Sequence, residues 1–238
     1  MSRSWVLAEV ARVTRQHHVA ADSDRLAIME VPSIDGYRAL LARIYAFEAA
    51  VEAACLATPT FDLDLARSHF KSQRLPDDLE ALGVVAREVT PAPIPRLPTI
   101  DTALAWMWVV HRNTLLHGLM LRYLSTELRD TMQVAGAYLS VFEGRAGALM
   151  RTLGDALATC SRQRGSHAII ASAAADAFRH QRHWYATGVR IRLRQGAASS
   201  AGDTLPEAKP VSHGSGGAHA ACSETHLPWT SPRRRSCA

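Results

Sequence analysis

Along most of this chain apolar residues return at three- and four-residue steps, the rhythm of helices that bury one face. In DGYRALLARIYAFEAAVEAACLA the stripe runs through Tyr37, Leu41, Ile44, Phe47, Val51 and Cys55. Pro32 breaks the preceding helix, and Ser33 or Asp35 is placed to cap the next one. A further helical pattern, LDLARSHFKSQRLPDDLEALG, is interrupted at Pro76, where Asp77 and Asp78 suit the start of a restarted helix. REVTPAPIPRLPTI is too rich in proline for a helix and reads as an extended loop laid across the bundle. Three more helices are expected, from about Thr99 to Leu128, Thr131 to Cys160 and Ser166 to Arg190. No alternating strand pattern of useful length and no internal repeat stand out. The pattern predicts an all-α protein: one helical bundle over residues 1–195, followed by a low-complexity tail over 196–238. That tail is Gly-, Ser- and Ala-rich and offers too little apolar surface to order itself, so it is expected to be disordered.

Composition narrows the function classes. Apolar residues make up 47% of the 238, enough for a substantial core. The formal charge of +5 comes almost wholly from arginine, since Lys71 and Lys209 are the only lysines. Spread over this length it points to no nucleic-acid partner, and the short run SPRRRS reads as solvated. Cys55, Cys160, Cys222 and Cys237 lack CxxC spacing, which argues against a cysteine zinc site and a disulfide framework. Cys55 and Cys160 fall in helical stretches and read as buried free thiols. Glu9 and Arg12 interrupt the first apolar run, so no signal peptide is visible. The most apolar stretch, TALAWMWVVHRNTLLHGLMLRYL, carries His111, Arg112, Asn113 and His117, which a membrane span would bury at high cost. The chain is expected to be soluble and cytoplasmic, with no membrane partner.

One short stretch carries candidate chemistry. In RVTRQHHVAADSDRL, Thr14, His18 and Asp22 stand four residues apart and form a ladder on one helix face. Asp22 is placed to accept a hydrogen bond from one ring nitrogen while the other binds a metal, an arrangement that fixes the tautomer. His17 lies about 100° around the helix. A single histidine ligand without a Cys or Glu cluster suits heme iron better than zinc. His180 and His183 have no carboxylate at suitable spacing and read as a solvent-facing stripe.

VTRQHHVAAD resembles the proximal helix of the heme oxygenases, especially the bacterial type that makes biliverdin for phytochromes. Thr14, His18 and Asp22 fall on that pattern, with Val13 where the family has alanine. SIDGYRALLARIYAFEAAVE is similar to the family's second helix. RSHFKSQRLPDDLEALG is similar to its R…L…DL..LG segment through Arg67, Leu75, Asp78, Leu79, Leu82 and Gly83. ALAWMWVVHRNTLLHGLMLRYL is similar to its distal helix and AFRHQRHWY, with Phe178, to its closing aromatic helix. The likeness spans roughly residues 5 to 190. It implies a heme oxygenase-like bundle in which His18 is the axial ligand of heme iron, with Thr14, Asp22 and Phe178 around the cofactor. Heme would be both cofactor and substrate, cleaved to biliverdin, carbon monoxide and ferrous iron. The electrons would come from an external donor, a reductase or ferredoxin, and a phytochrome is the implied acceptor of biliverdin. Arg179 and Arg182 are candidates for the propionates.

The distal helix departs from the family. Where the pattern is approximately Glu-Gly-Ser-Thr-Leu-Gly-Gly, this chain has HRNTLLH, residues 111–117; Thr114 and Leu115 match, whereas His111, Arg112, Asn113, Leu116 and His117 do not. Glycine there lets helix backbone approach the heme face, and Leu116 and His117 add bulk. Three readings stay open: a helix set farther out over a pocket that still accepts heme, with chemistry altered or intact; His117 as a second axial ligand that blocks oxygen; or a closed pocket in a helical protein that binds something else. A weakly active heme oxygenase is thus set against a non-catalytic heme-binding or regulatory protein that kept the fold and lost the oxygen site.

Overall fold

The structure, a computed structural model, describes residues 5–187 and 190–193; the expected tail over 196–238 lies outside them. Ten helices are described: α1 (Trp5–Leu26), α2 (Ile34–Leu56), α3 (Leu63–His69), α4 (Leu75–Ala81), α5 (Ile100–Arg112), α6 (His117–Glu127), α7 (Arg129–Ala135), α8 (Ala137–Ser140), α9 (Ala146–Arg164) and α10 (His167–Ala186). Among the described residues the β content is one isolated bridge, Val84 to Leu193. The fold is an all-α bundle without a sheet.

Local chemistry explains most boundaries. Ser33 is the cap of α2, its hydroxyl accepting from Gly36 N at 3.0 Å. Asp62 caps α3 by accepting from the backbone of Asp64 and Leu65. Thr99 and Thr102 form a reciprocal capping box at the start of α5. Gly165, at φ 62°, supplies the left-handed residue that ends α9 and turns the chain into α10.

Three expected helices are shorter than their periodicity suggested. The pattern after Leu63 resumes at Leu75, one residue before Pro76, because proline is tolerated in a first turn that needs no donor. The stretch expected as one helix from Thr99 to Leu128 is broken by a 3₁₀ turn over Asn113–Leu116. The stretch from Thr131 to Cys160 is split at Gly136 and again at the turn containing Gly144, whose φ is 69°. The proline segment does cross the bundle. Ala92 N donates to Ala46 O at 2.9 Å, and the Thr58 hydroxyl donates to Leu97 O at 2.9 Å.

The core divides in two. One cluster joins α1, α2, α5, α9 and α10 through Val10, Phe47, Trp106, Leu153 and Phe178. The other joins α2, α4 and α6–α8 through Tyr37, Leu41, Leu79, Met120 and Tyr138. Helix α1 lies along α10, and α10 along α5. His18 therefore sits where α1 and α10 meet.

Candidate functional site

The ladder on α1 forms, but not as its spacing suggests. The Thr14 hydroxyl donates its one hydrogen to Val10 O at 2.5 Å, so its oxygen accepts from His18 Nε2, 2.8 Å away. Nε2 thus carries the proton, and the lone pair of the neutral ring is on Nδ1. The ring lies against Phe178, centroids 4.7 Å apart, and Trp108 at 5.9 Å. Burial, helped by the nearby Arg112 cation, pushes the His18 pKa down to about 4. His17 stacks on the same Phe178 at 6.3 Å.

Asp22 is not the hydrogen-bond partner of His18. Its two oxygens each accept from Arg112, Nη1 and Nη2, at 2.7 Å. The reason is geometric: a planar guanidinium matches both carboxylate oxygens at once, which an imidazole cannot. Arg112 ends α5, so this fork ties α1 to α5 at a half-buried position.

The residues in and around the 3₁₀ turn Asn113–Leu116 separate. Thr114 is buried, its hydroxyl donating to His111 O at 2.7 Å. Leu115 is 51% exposed and Leu116 packs at the edge of the second core. The buried His117 ring meets Tyr138 at 4.7 Å, so it belongs to the second core and the reading of it as a second axial ligand finds no contact with His18. His111 lies between His69, at 4.7 Å, and Phe142, at 5.3 Å. Among the described residues the ring nitrogens of His117 have no hydrogen-bond partner. Burial and the Lys71 cation hold both neutral, His111 at about 3 and His117 well below its ordinary range.

Those histidines border a buried charged centre that sequence reasoning missed. Glu48 accepts from Arg25 at 2.7 Å and from the Tyr138 hydroxyl at 2.8 Å, and pairs with Lys71 Nζ at 3.0 Å. Lys71 Nζ also donates to Val110 O at 3.2 Å. One turn along α2, Glu52 accepts from the backbone of Lys71 and Ser72 and from the Ser72 hydroxyl; burial raises its pKa. The available signal was Glu48 and Glu52 standing among Ile44, Phe47, Val51 and Cys55, on the apolar face of α2.

Heme ligation through His18 needs a nitrogen lone pair and a flat slot beside it. The imidazole is neutral, which suits a ligand. Nε2 is committed to Thr14, which leaves Nδ1 as the nitrogen able to ligate, but Phe178 and Trp108 crowd the ring and Arg112 crosses from α5 to α1. As folded, these residues do not fit a porphyrin. No group of three or more His, Cys, Asp or Glu side chains among the described residues is placed to hold a metal ion. No described helix is long and apolar enough to cross a membrane. Comparisons with protein families, curated proteins and solved structures find no match for this chain.

Proposed function

We propose that this chain is a non-catalytic binding or regulatory protein built on a heme oxygenase-like scaffold. The supporting observation is the Asp22–Arg112 fork, with both oxygens at 2.7 Å. Arg112 is second in HRNTLLH, where the resembled distal pattern has its first glycine. A position that would leave backbone bare beside heme instead carries a long cation, and that cation reaches the acid one turn beyond His18. The substitution and the contact explain each other, since the arginine fills the space that glycine would open.

The test is to titrate the full chain with hemin and then add a chemical reductant under oxygen. The expected result is no histidine-type Soret band at stoichiometric hemin, and neither biliverdin nor a ferrous–CO spectrum. Turnover of hemin by the wild-type protein would overturn the proposal.

A second reading draws on one observation, the neutral imidazole of His18 set between Phe178 and Trp108. In it the chain is a heme oxygenase that opens on binding and forms biliverdin, carbon monoxide and ferrous iron with electrons from a reductase or ferredoxin. The same titration separates the two.

A further inference from the structure

A cleft of about 490 Å³ opens where the α2–α3 turn, the start of α5 and the end of α9 meet. Its volume is that of a ligand pocket, and the interface of α1 with α10 contributes none of its lining. Phe61, Leu65, Ile100, Leu104 and Cys160 form an apolar floor, and Asp62 and Asp155 stand at the lip. Asp62 is occupied as the cap of α3. Asp155 is exposed on α9 and has no ion-pair or hydrogen-bond partner among the described residues. Arg164, the cation of the lining, is paired with Asp101 at 3.3 Å, which leaves the cleft with a greasy floor beside the Asp155 carboxylate, and the matching occupant is a bulky apolar group followed by positive charge.

The chain carries that combination itself. After residue 193 it contains one residue of the Phe, Tyr and Trp class, Trp229, in HLPWTSPRRRS. Four residues later come Arg233, Arg234 and Arg235, and no acid lies between Trp229 and the last residue, Ala238. Leu193 is the last described residue and Trp229 follows 36 positions later, a length of chain that as a random coil would span roughly 33 Å root-mean-square. A bundle of this size has a radius of gyration of roughly 16 Å, so the segment reaches any face of it. Tethering also raises the local concentration of the segment to about the millimolar range. A segment too poor in apolar residues to build a core can still lend one indole to a cleft that is already formed. We propose that the cleft between α3, α5 and α9 docks segment 226–236 of the same chain, with Trp229 on the apolar floor and the arginines at the Asp155 lip.

Fluorine NMR of the full chain labelled with 5-fluorotryptophan tests this. Trp229→Phe identifies the Trp229 resonance, and Trp5, Trp106, Trp108 and Trp184 report whether the bundle is intact. The expected result is a Trp229 resonance displaced from its position in urea-unfolded protein. It should return toward that position in Asp155→Arg and in Thr159→Phe, both exposed substitutions on α9, while the other four resonances hold. A Trp229 resonance at the unfolded position in the wild type overturns the proposal. So does a displaced resonance that neither substitution moves, which would place the segment elsewhere. A displacement that disappears on dilution also overturns it, and would make the occupant a second copy of the chain.

Discussion

Glu48 of α2 and Lys71, between α3 and α4, meet at 3.0 Å with both side chains wholly shielded from solvent. Arg25 approaches the same carboxylate from the end of α1 at 2.7 Å. One anion thus holds two cations from separate parts of the chain, and the Tyr138 hydroxyl completes its shell. Glu48→Gln removes the charge and leaves Arg25 and Lys71 facing each other in the core. Losing one partner of a buried pair costs about 3–5 kcal/mol, and urea unfolding should show a loss of that order. A change below about 1 kcal/mol would mean that solvent reaches this centre.

Acid should weaken the bundle from the upper end of the histidine range. In the unfolded chain His111 and His117 titrate near 6.5, whereas burial and Lys71 hold His111 at about 3 and His117 well below its ordinary value in the fold. Their pKa values are depressed on folding. Stability is therefore full above pH 6.5 and is lost as the unfolded state alone takes up protons. Each such histidine contributes a slope of about 1.4 kcal/mol per pH unit below that point. Glu52, with its pKa raised by burial, acts in the opposite sense, since its contribution is full below the ordinary carboxylate range and is lost as pH rises. Urea unfolding at pH 7, 6 and 5 measures the sum, to which His18, held at about 4, also contributes, and His111→Phe should reduce the mean slope over that range by about 1 kcal/mol per pH unit. An unchanged slope in that variant would show that His111 titrates normally.

Thiol labelling reads the same core. The Cys55 thiol donates to Ala103 O at 3.5 Å, is fully buried, and has its pKa pushed up by that burial. Cys160 donates to Asp101 at 3.1 Å, and burial raises it to about 11. Thiolate is the reactive form. Under native conditions peptide mapping should find iodoacetamide absent from Cys55 and slow at Cys160, with both labelled rapidly in urea. Rapid native labelling of Cys55 would refute its burial.

How far the sequence speaks depends on the range of each interaction. The apolar stripe of α2, the Ser33 cap and the buried Cys55 all lie within a few residues of their causes, and periodicity exposes them. Thr14 and His18 are likewise one turn apart, and they meet. Asp22 should have met His18 by the same logic, but Arg112, ninety positions away, has the better-matched donor fork. No local pattern contains that competition. The Glu48 centre is hidden for the same reason, because Arg25, Lys71 and Tyr138 converge from three other parts of the chain. The breaks at Asn113 and Gly136 escaped because apolar periodicity continues through them; tertiary packing, as in the Asn113–Gln181 hydrogen bond at 3.2 Å, favours the turn there.

The Asp22–Arg112 fork gives the last prediction its direction. If the long side chain at residue 112 is what closes the face beside His18, removing it should open that face, whereas enlarging the space at residue 117 should not. Arg112→Gly deletes the fork and places glycine where the resembled pattern has it. The cost combines about 1 kcal/mol for glycine near a helix end with up to about 1 kcal/mol for a partly exposed ion pair, so the bundle should remain folded by circular dichroism. His117→Gly instead empties volume beside Tyr138, where an unfilled cavity costs about 2–5 kcal/mol, and it leaves His18 untouched. Titrated with hemin, Arg112→Gly should gain a histidine-type Soret band that is not expected of the wild type, with Phe178 and Trp108 drawing back from the ring as the porphyrin enters. Adding His18→Ala to Arg112→Gly should remove that band while leaving the helical signal, because Thr14 then holds no ring. A Soret band in Arg112→Gly that survives His18→Ala would assign the ligand to another residue. No band in Arg112→Gly, with the fold intact, would show that the fork is not what keeps a porphyrin out.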